Sequence, residues 1–267
     1  MNHFAVLTDL DGTLLDHHNY DWHAAEPALQ ALVRQQIPVI AVTSKTAAEM
    51  PAILAEIPYL SPLYSCENGA VLADARGAES HLEILGASMA QLIEVYGQVK
   101  QQHGFKCIAF HEVSAEQVAD WTGLTPVQAR AAQQRHATLP IYWPDITEAQ
   151  QATFMEAAAK SGLQVLIGGR FLHLCGEADK GTAVTAIRNK LSTGVRIMAL
   201  GDGGNDDAML ARADWGVRIP AATGLDRPEP VQGVSRASRP GPEGWNESVL
   251  SWLATLASPT GSGKRED

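Results

Sequence analysis

The sequence predicts an α/β protein: a doubly wound, Rossmann-like parallel-sheet core with a second α/β domain inserted into it. Two observations predict it. Residues 4–7, 38–42 and 195–200 are short apolar runs without polar alternation, and each stops at polar residues: Thr8-Asp9, Thr43-Ser44-Lys45 and Gly201-Asp202. Such runs suit strands buried on both faces of a parallel sheet. Between the first two, residues 24–36 are rich in helix formers with apolar residues at helical spacing, which gives strand, helix, strand.

The other elements follow in order. Across residues 83–179 no acidic motif ends an apolar run. There, residues 87–103 read as helix, 106–111 as strand and 125–136 as helix. Residues 164–167 and 171–174 read as a hairpin through Gly168-Gly169. Residues 184–191 read as a helix leading into the 195–200 strand. A further helix opens over 207–212, and 215–219 reads as a strand. Residues 220–242, rich in Pro, Gly and charge, read as loop, and 258–267 as a disordered tail. The expected organisation is therefore 1–82 and 180–257 for the core, 83–179 for the inserted domain and 258–267 for the tail.

The bulk properties narrow the function. The chain has 267 residues, 45% of them hydrophobic, enough for a sizeable core. A net charge of -10 argues against coating nucleic acid or an anionic membrane. Cys66, Cys107 and Cys175 are scattered and share no metal-ligand spacing, as expected of reduced core cysteines. No signal-peptide pattern and no apolar run of membrane-spanning length is visible. The expectation is a soluble cytoplasmic protein whose partner is a small molecule, with no nucleic acid and no membrane.

Asp9-Leu10-Asp11-Gly12-Thr13 follows the first strand directly. Two carboxylates two residues apart at a strand end can address one small volume, and ligands of open α/β sheets bind beyond the carboxyl ends of the strands. A phosphoryl group needs an in-line nucleophile, a cation against its charge and a proton donor for the leaving oxygen. One carboxylate can attack phosphorus and bind metal while the other moves protons. An acidic turn is the bland alternative; a calcium loop fails on ligand spacing.

Three further stretches complete the set. Thr43, Ser44 and Lys45 end the second strand, where a hydroxyl and backbone N–H groups can hold phosphate oxygens, or merely cap a helix. Lys180 precedes a helix and can neutralise a phosphate oxygen, or be an ordinary solvated lysine. Gly201-Asp202-Gly203-Gly204-Asn205-Asp206 packs oxygen ligands among glycines, as magnesium prefers. Asp202 is the best direct ligand; Asn205 and Asp206 ligate directly or support those that do. Gly261-Ser262-Gly263-Lys264 hints at a phosphate-binding loop but lacks the upstream Gly and the flanking strand and helix.

Together, Asp9-x-Asp11-Gly-Thr13, Thr43, Lys180 and Gly201-Asp202-x-x-Asn205-Asp206, in this order, resemble the haloacid dehalogenase (HAD) phosphatases. With Glu67-Asn68-Gly69-Ala70 just ahead of it, the insert looks like the large α/β cap domain of one subgroup. The resemblance implies Asp9 as nucleophile and Mg2+ ligand, and Asp11 as general acid/base lending the metal its backbone carbonyl. It implies Thr43 and Lys180 as phosphate-binding residues and Asp202 as completing the metal site. A finer resemblance is to the mannosyl-3-phosphoglycerate phosphatases. It rests on His17-His18-Asn19-Tyr20-Asp21-Trp22, Thr43-Ser44-Lys45-Thr46, Gly168-Gly169-Arg170-Phe171-x-His173-Leu174 and Gly241-Pro242-Glu243-Gly244-Trp245. The Gly203-Gly204 pair departs from that family, where proline or serine often stands.

Such a substrate carries a carboxylate beside its phosphate, and a forked guanidinium suits a carboxylate. Arg130, Gln134, Arg135 and Arg170 are the cap candidates for binding it, Arg130 and Gln134 being spaced to share one helix face. The expected activity is hydrolysis of mannosyl-3-phosphoglycerate or its glucosyl analogue. The alternatives are a phosphatase of another sugar or disaccharide phosphate, or a phosphomutase.

Overall fold

The computed structural model describes residues 3–77, 81–168, 171–221 and 231–257. Its strands are β1 (Phe4–Thr8), β2 (Val39–Ala41), β3 (Leu63–Cys66), β4 (Val71–Asp74), β5 (His81–Ile84) and β6 (Ile108–Ala109). They continue as β7 (Thr138–Tyr142), β8 (Gln164–Gly168), β9 (Phe171–Cys175), β10 (Arg196–Gly201), β11 (Trp215–Arg218) and β12 (Val234–Arg236). The helices are α1 (Glu26–Arg34), α2 (Met50–Glu56), α3 (Met89–His103), α4 (Ala115–Thr122) and α5 (Pro126–Gln133). After them come α6 (Glu148–Lys160), α7 (Lys180–Lys190), α8 (Asp207–Arg212) and α9 (Gly241–Ala257).

Five strands form one parallel sheet in the order β12-β11-β10-β1-β2. Alternate residues of each strand face opposite helical layers. Val6, Val39, Ala41, Met198 and Leu200 pack with Leu29 and Leu32 of α1 and with Trp245, Val249 and Trp252 of α9. Ala5, Leu7, Ile40, Ile197 and Ala199 pack on the other side with Ala183, Val184 and Ile187 of α7 and Met209 and Leu210 of α8. Both faces being buried explains why these strands read as unbroken apolar runs. Each Leu or Ile so buried contributes about 1.5–3 kcal/mol relative to exposure.

A three-stranded antiparallel sheet, β3-β4-β5, adjoins the β2 edge through bridges from Val39 to Leu60 and from Val42 to Ser65. A separate four-stranded antiparallel sheet, β6-β7-β9-β8, has its own core with α3 and α6, built on Leu92, Tyr96, Phe154, Leu139 and Leu174. The hairpin expected at 164–174 is present as β8 and β9, with Gly168 opposite Phe171; Gly169 and Arg170 lie outside the described residues.

Several expected elements differ in extent. The 106–111 strand shrinks to β6, because Glu112 draws the chain into a helical turn. Its carboxylate accepts from Ala109 N at 2.8 Å and pairs with Lys100. The 125–136 helix stops at Gln133, so Gln134 follows the helix end and does not share a helix face with Arg130. Helix α7 starts four residues earlier than 184, because Asp179 caps it by accepting from Thr182 N at 2.7 Å. Within 220–242, β12 adds a parallel strand to the β11 edge. The 258–267 stretch, including Gly261 to Lys264, lies outside the described residues. No helix among the described residues is long and apolar enough to cross a membrane.

Candidate active site

The carboxyl ends of β1 and β10 lie side by side, so Asp9 and Asp202 emerge at the same edge of the sheet. Asp9 N donates to Leu200 O at 2.9 Å, which ties the first residue past β1 to the neighbouring strand. Behind it, the buried indole of Trp245 donates to Thr8 Oγ1 at 3.0 Å, and the Thr8 hydroxyl donates to Asp9 O at 2.6 Å. Helix α9 thereby braces the strand end from the far side of the sheet.

Lys180, the first residue of α7, is fully buried, unlike a solvated surface lysine. Its Nζ lies 2.7 Å from Asp9 Oδ1 and 2.6 Å from Asp206 Oδ1. Asp206 is held from its other oxygen by Gly203 N at 2.8 Å. Burial works against the lysine charge, but Asp206 and Asp9 outweigh it and hold the ammonium above the usual lysine range.

Asp9, Asp202 and Asp206 each bring a carboxylate oxygen within 4.8 Å of the others. Burial pushes Asp9 up to about 8, with Asp206 and Asp202 adding to the rise against Lys180. Burial followed by Asp206 raises Asp202 as well. Three crowded carboxylates facing one ammonium lack positive charge, and the donor set is all oxygen. Both properties fit a hard divalent cation.

The turn after Asp9 is shaped for the same cluster. Gly12 has φ +79°, and a Cβ there would lie 2.6 Å from Asp202 Oδ2. Only glycine leaves room for Asp202 to approach the turn. Thr13 Oγ1 donates to Asp202 Oδ1 at 3.2 Å. Asp11 points elsewhere: its Oδ2 pairs with Lys45 Nζ at 2.7 Å, while its Oδ1 is buried without a partner. Burial opposes the Lys45 charge, and the Asp11 pair raises its pKa above the usual lysine value.

The loop after β2 joins this centre to the four-stranded-sheet region. Thr43 is buried, its N donating to Ser65 O at 3.0 Å and its Oγ1 accepting from Lys45 N at 3.2 Å. The Arg135 guanidinium donates to Ser44 O at 3.4 Å and to Thr138 Oγ1 at 2.7 Å. Glu67 is fully buried with φ 52°, and its carboxylate accepts from His136 N, Ala137 N and Thr138 Oγ1 at 2.7, 3.0 and 2.8 Å. Asn68, also left-handed, accepts from the Asn205 amide at 3.1 Å.

Asp9, Lys180, Asp202 and Asp206 thus meet, with Asp11 and Lys45 paired beside them and Asn205 engaged with Asn68. Arg135 reaches the 43–46 loop. Arg130 and Gln134 are exposed, and Arg130 lies near Glu116. Arg170 is outside the described residues. Sequence reasoning assigned no site role to Glu67, Asn68 or Trp245. Their only signal was membership of the short motifs 67–70 and 241–245.

An open parallel sheet with helices on both faces, gathering carboxylates and a buried lysine at its carboxyl edge, defines an α/β enzyme of the open-sheet class. A family model described as haloacid dehalogenase-like hydrolase matches residues 6–153, more than half of the chain, and the protein belongs to that family. Solved structures share the fold. A Streptococcus mutans protein, SMU.1108c, is 19% identical with a TM-score of 0.70, over 95% of this chain and all of that one. The HAD subclass IIB sugar phosphatase BT4131 is 18% identical with a TM-score of 0.65, over 95% of this chain and 98% of that one. BT1666 of Bacteroides thetaiotaomicron, described among the phosphatases of the superfamily, is 20% identical with a TM-score of 0.65, over 96% and 95% of the two chains.

Proposed function

We propose that this protein is a magnesium-dependent phosphomonoester hydrolase working through an aspartyl-phosphate on Asp9. We take its substrate to be mannosyl-3-phosphoglycerate or the glucosyl analogue. The observation that carries the catalytic reading is the buried contact of Lys180 with both Asp9 and Asp206, beside Asp202.

In this reading a carboxylate oxygen of Asp9 attacks phosphorus, and the bond from phosphorus to the leaving oxygen breaks. Asp11 gives that oxygen its proton, then takes one from the water that attacks the aspartyl-phosphate. Inorganic phosphate leaves and Asp9 is restored. Lys180 fixes the attacking carboxylate and offers charge to a phosphoryl oxygen, with the Thr43 hydroxyl and the 43–45 loop on another side. Asp9, Asp202 and Asp206, with the Asp11 carbonyl and Asn205, are the groups that would hold Mg2+. The ion would neutralise phosphoryl charge and keep Asp9 ionised. Residues 83–179 act as the cap domain, with Arg130, Gln134, Arg135 and Arg170 as candidates for the substrate carboxylate.

The likeness to BT4131, itself described as a sugar phosphatase, favours a second reading with the same chemistry on another sugar phosphate. Phosphate release from mannosyl- and glucosyl-3-phosphoglycerate and simple sugar phosphates, with Mg2+ and after chelation, separates the two. Asp9→Asn should abolish turnover while leaving the fold intact. Full activity in that variant removes Asp9 as nucleophile, and transfer to a second sugar hydroxyl in place of phosphate release indicates a mutase.

A further inference from the structure

The loop between Asp11 and α1 presents Tyr20 in an unusual way. Among the described residues, positive φ outside glycine occurs at Tyr20, Gln36, Glu67 and Asn68. Gln36 follows the end of α1, and Glu67 and Asn68 are buried and hydrogen-bonded. Tyr20, at φ 60°, is instead a bulky residue that is 52% exposed. A left-handed backbone is unfavourable for such a side chain, and here it leaves half of the residue in solvent.

The loop enforces the conformation from both sides. Asp16 N donates to Asp21 O at 2.9 Å, and Tyr20 N donates to Asp16 O at 3.1 Å. The Asp16 carboxylate accepts from His18 N and Asn19 N at 2.9 and 3.1 Å, and Asn19 Oδ1 accepts from Asp21 N at 2.9 Å. Buried Trp22 anchors the exit by packing on Tyr59, with ring centroids 5.7 Å apart. The result is a closed turn that carries an aromatic ring at Tyr20.

That ring borders the reacting centre. Lys45 Nζ lies 5.5 Å from the Tyr20 ring centroid and 2.7 Å from Asp11 Oδ2. If Asp11 protonates the leaving oxygen, the leaving group must sit against Asp11, and Lys45 with the Tyr20 ring beside it is one neighbour of Asp11. An aromatic face carries partial negative charge and attracts the weakly positive C–H groups on the apolar face of a sugar ring.

We propose that Tyr20 is a specificity-determining residue: its half-exposed ring, held over Lys45, stacks on the carbohydrate ring of the leaving group. The inference rests on the phosphatase reading, with Asp11 as proton donor. It differs from a role exerted only through Lys45 and Asp11, which would affect every substrate alike.

A matched pair of esters tests it: mannosyl-3-phosphoglycerate and 3-phosphoglycerate, which differ by the sugar. Glucose 6-phosphate and glycerol phosphate form a second pair. Tyr20→Ala should lower the ratio of kcat/KM within a pair by about tenfold, chiefly through KM, the scale of one lost aromatic contact. Tyr20→Phe and Tyr20→Trp should restore it. Tyr20→Gly should unfold no earlier than wild type, because glycine accepts φ 60° without strain. An unchanged ratio in Tyr20→Ala, an equal fall for both members of a pair, or a Tyr20→Gly protein that melts several degrees lower overturns the proposal. Wild-type protein that releases phosphate from none of the four compounds instead overturns the phosphatase reading beneath it.

Discussion

The Nζ of Lys180 lies 2.6 Å from Oδ1 of Asp206, and both side chains are fully buried. The same ammonium reaches Asp9 on its other side. One lysine therefore sets the position of the carboxylate proposed as nucleophile and of another proposed to hold the cation. Removing one partner of a buried ion pair leaves uncompensated charge, and that costs more than the intact pair contributes.

For Lys180→Met, kcat should fall by about 10²–10³, as for loss of one preorganised donor to developing charge. Stability should fall by about 3–5 kcal/mol. Lys180 lowers the Asp9 pKa, so the variant's Asp9 takes up its proton at higher pH than the about 8 of wild type, and the gap in urea unfolding should narrow as the pH drops toward about 8. A constant gap from pH 10 to pH 8 would contradict the coupling.

Glu67 ties the loop after β3 to the start of β7. Its carboxylate serves two backbone N–H groups and one hydroxyl with no exposure to water. Glu67→Gln places an amide N–H against those donors and leaves at least one unmet, a loss of about 1–3 kcal/mol. Denaturant unfolding checks the figure. Because the contact links the 43–69 region to residues 136–138, the variant should also show faster amide exchange along β7 than elsewhere in the four-stranded sheet.

His173 on β9 is half-buried, and its Nδ1 is buried without a partner. Burial, with Arg135 nearby, pushes its pKa down to about 3 from the ordinary 6.5. The unfolded chain takes up a proton below 6.5 while the fold refuses it until about 3, so stability falls as pH drops through that window. His173→Leu should flatten the acid limb by up to about 1.4 kcal/mol per pH unit. Chemical denaturation at pH 7, 5 and 4 measures it, and parallel curves for the two proteins would rule out this histidine as the source.

Strands β1, β2 and β10 are readable because they are buried on both faces and carry apolar runs. Elements lacking that signal escaped. Strand β12 is short and half-exposed, and α9 hides its apolar stripe among Gly, Pro and Ser. The sequence pattern extends the 125–136 helix past Gln133 because local composition shows no strong stop at Gln134, where tertiary contacts turn the chain toward Glu67.

The sequence by itself determined the class of sheet and which residue types stand at its strand ends. Burial on two faces and turn chemistry are properties of neighbouring residues. Only the tertiary structure decided which of those groups meet. Lys180 touches Asp9 across 171 positions of chain, and Lys45 turns to Asp11 under the Tyr20 ring. Such contacts depend on strand order, on where each helix begins and on a single φ angle, which no local pattern encodes.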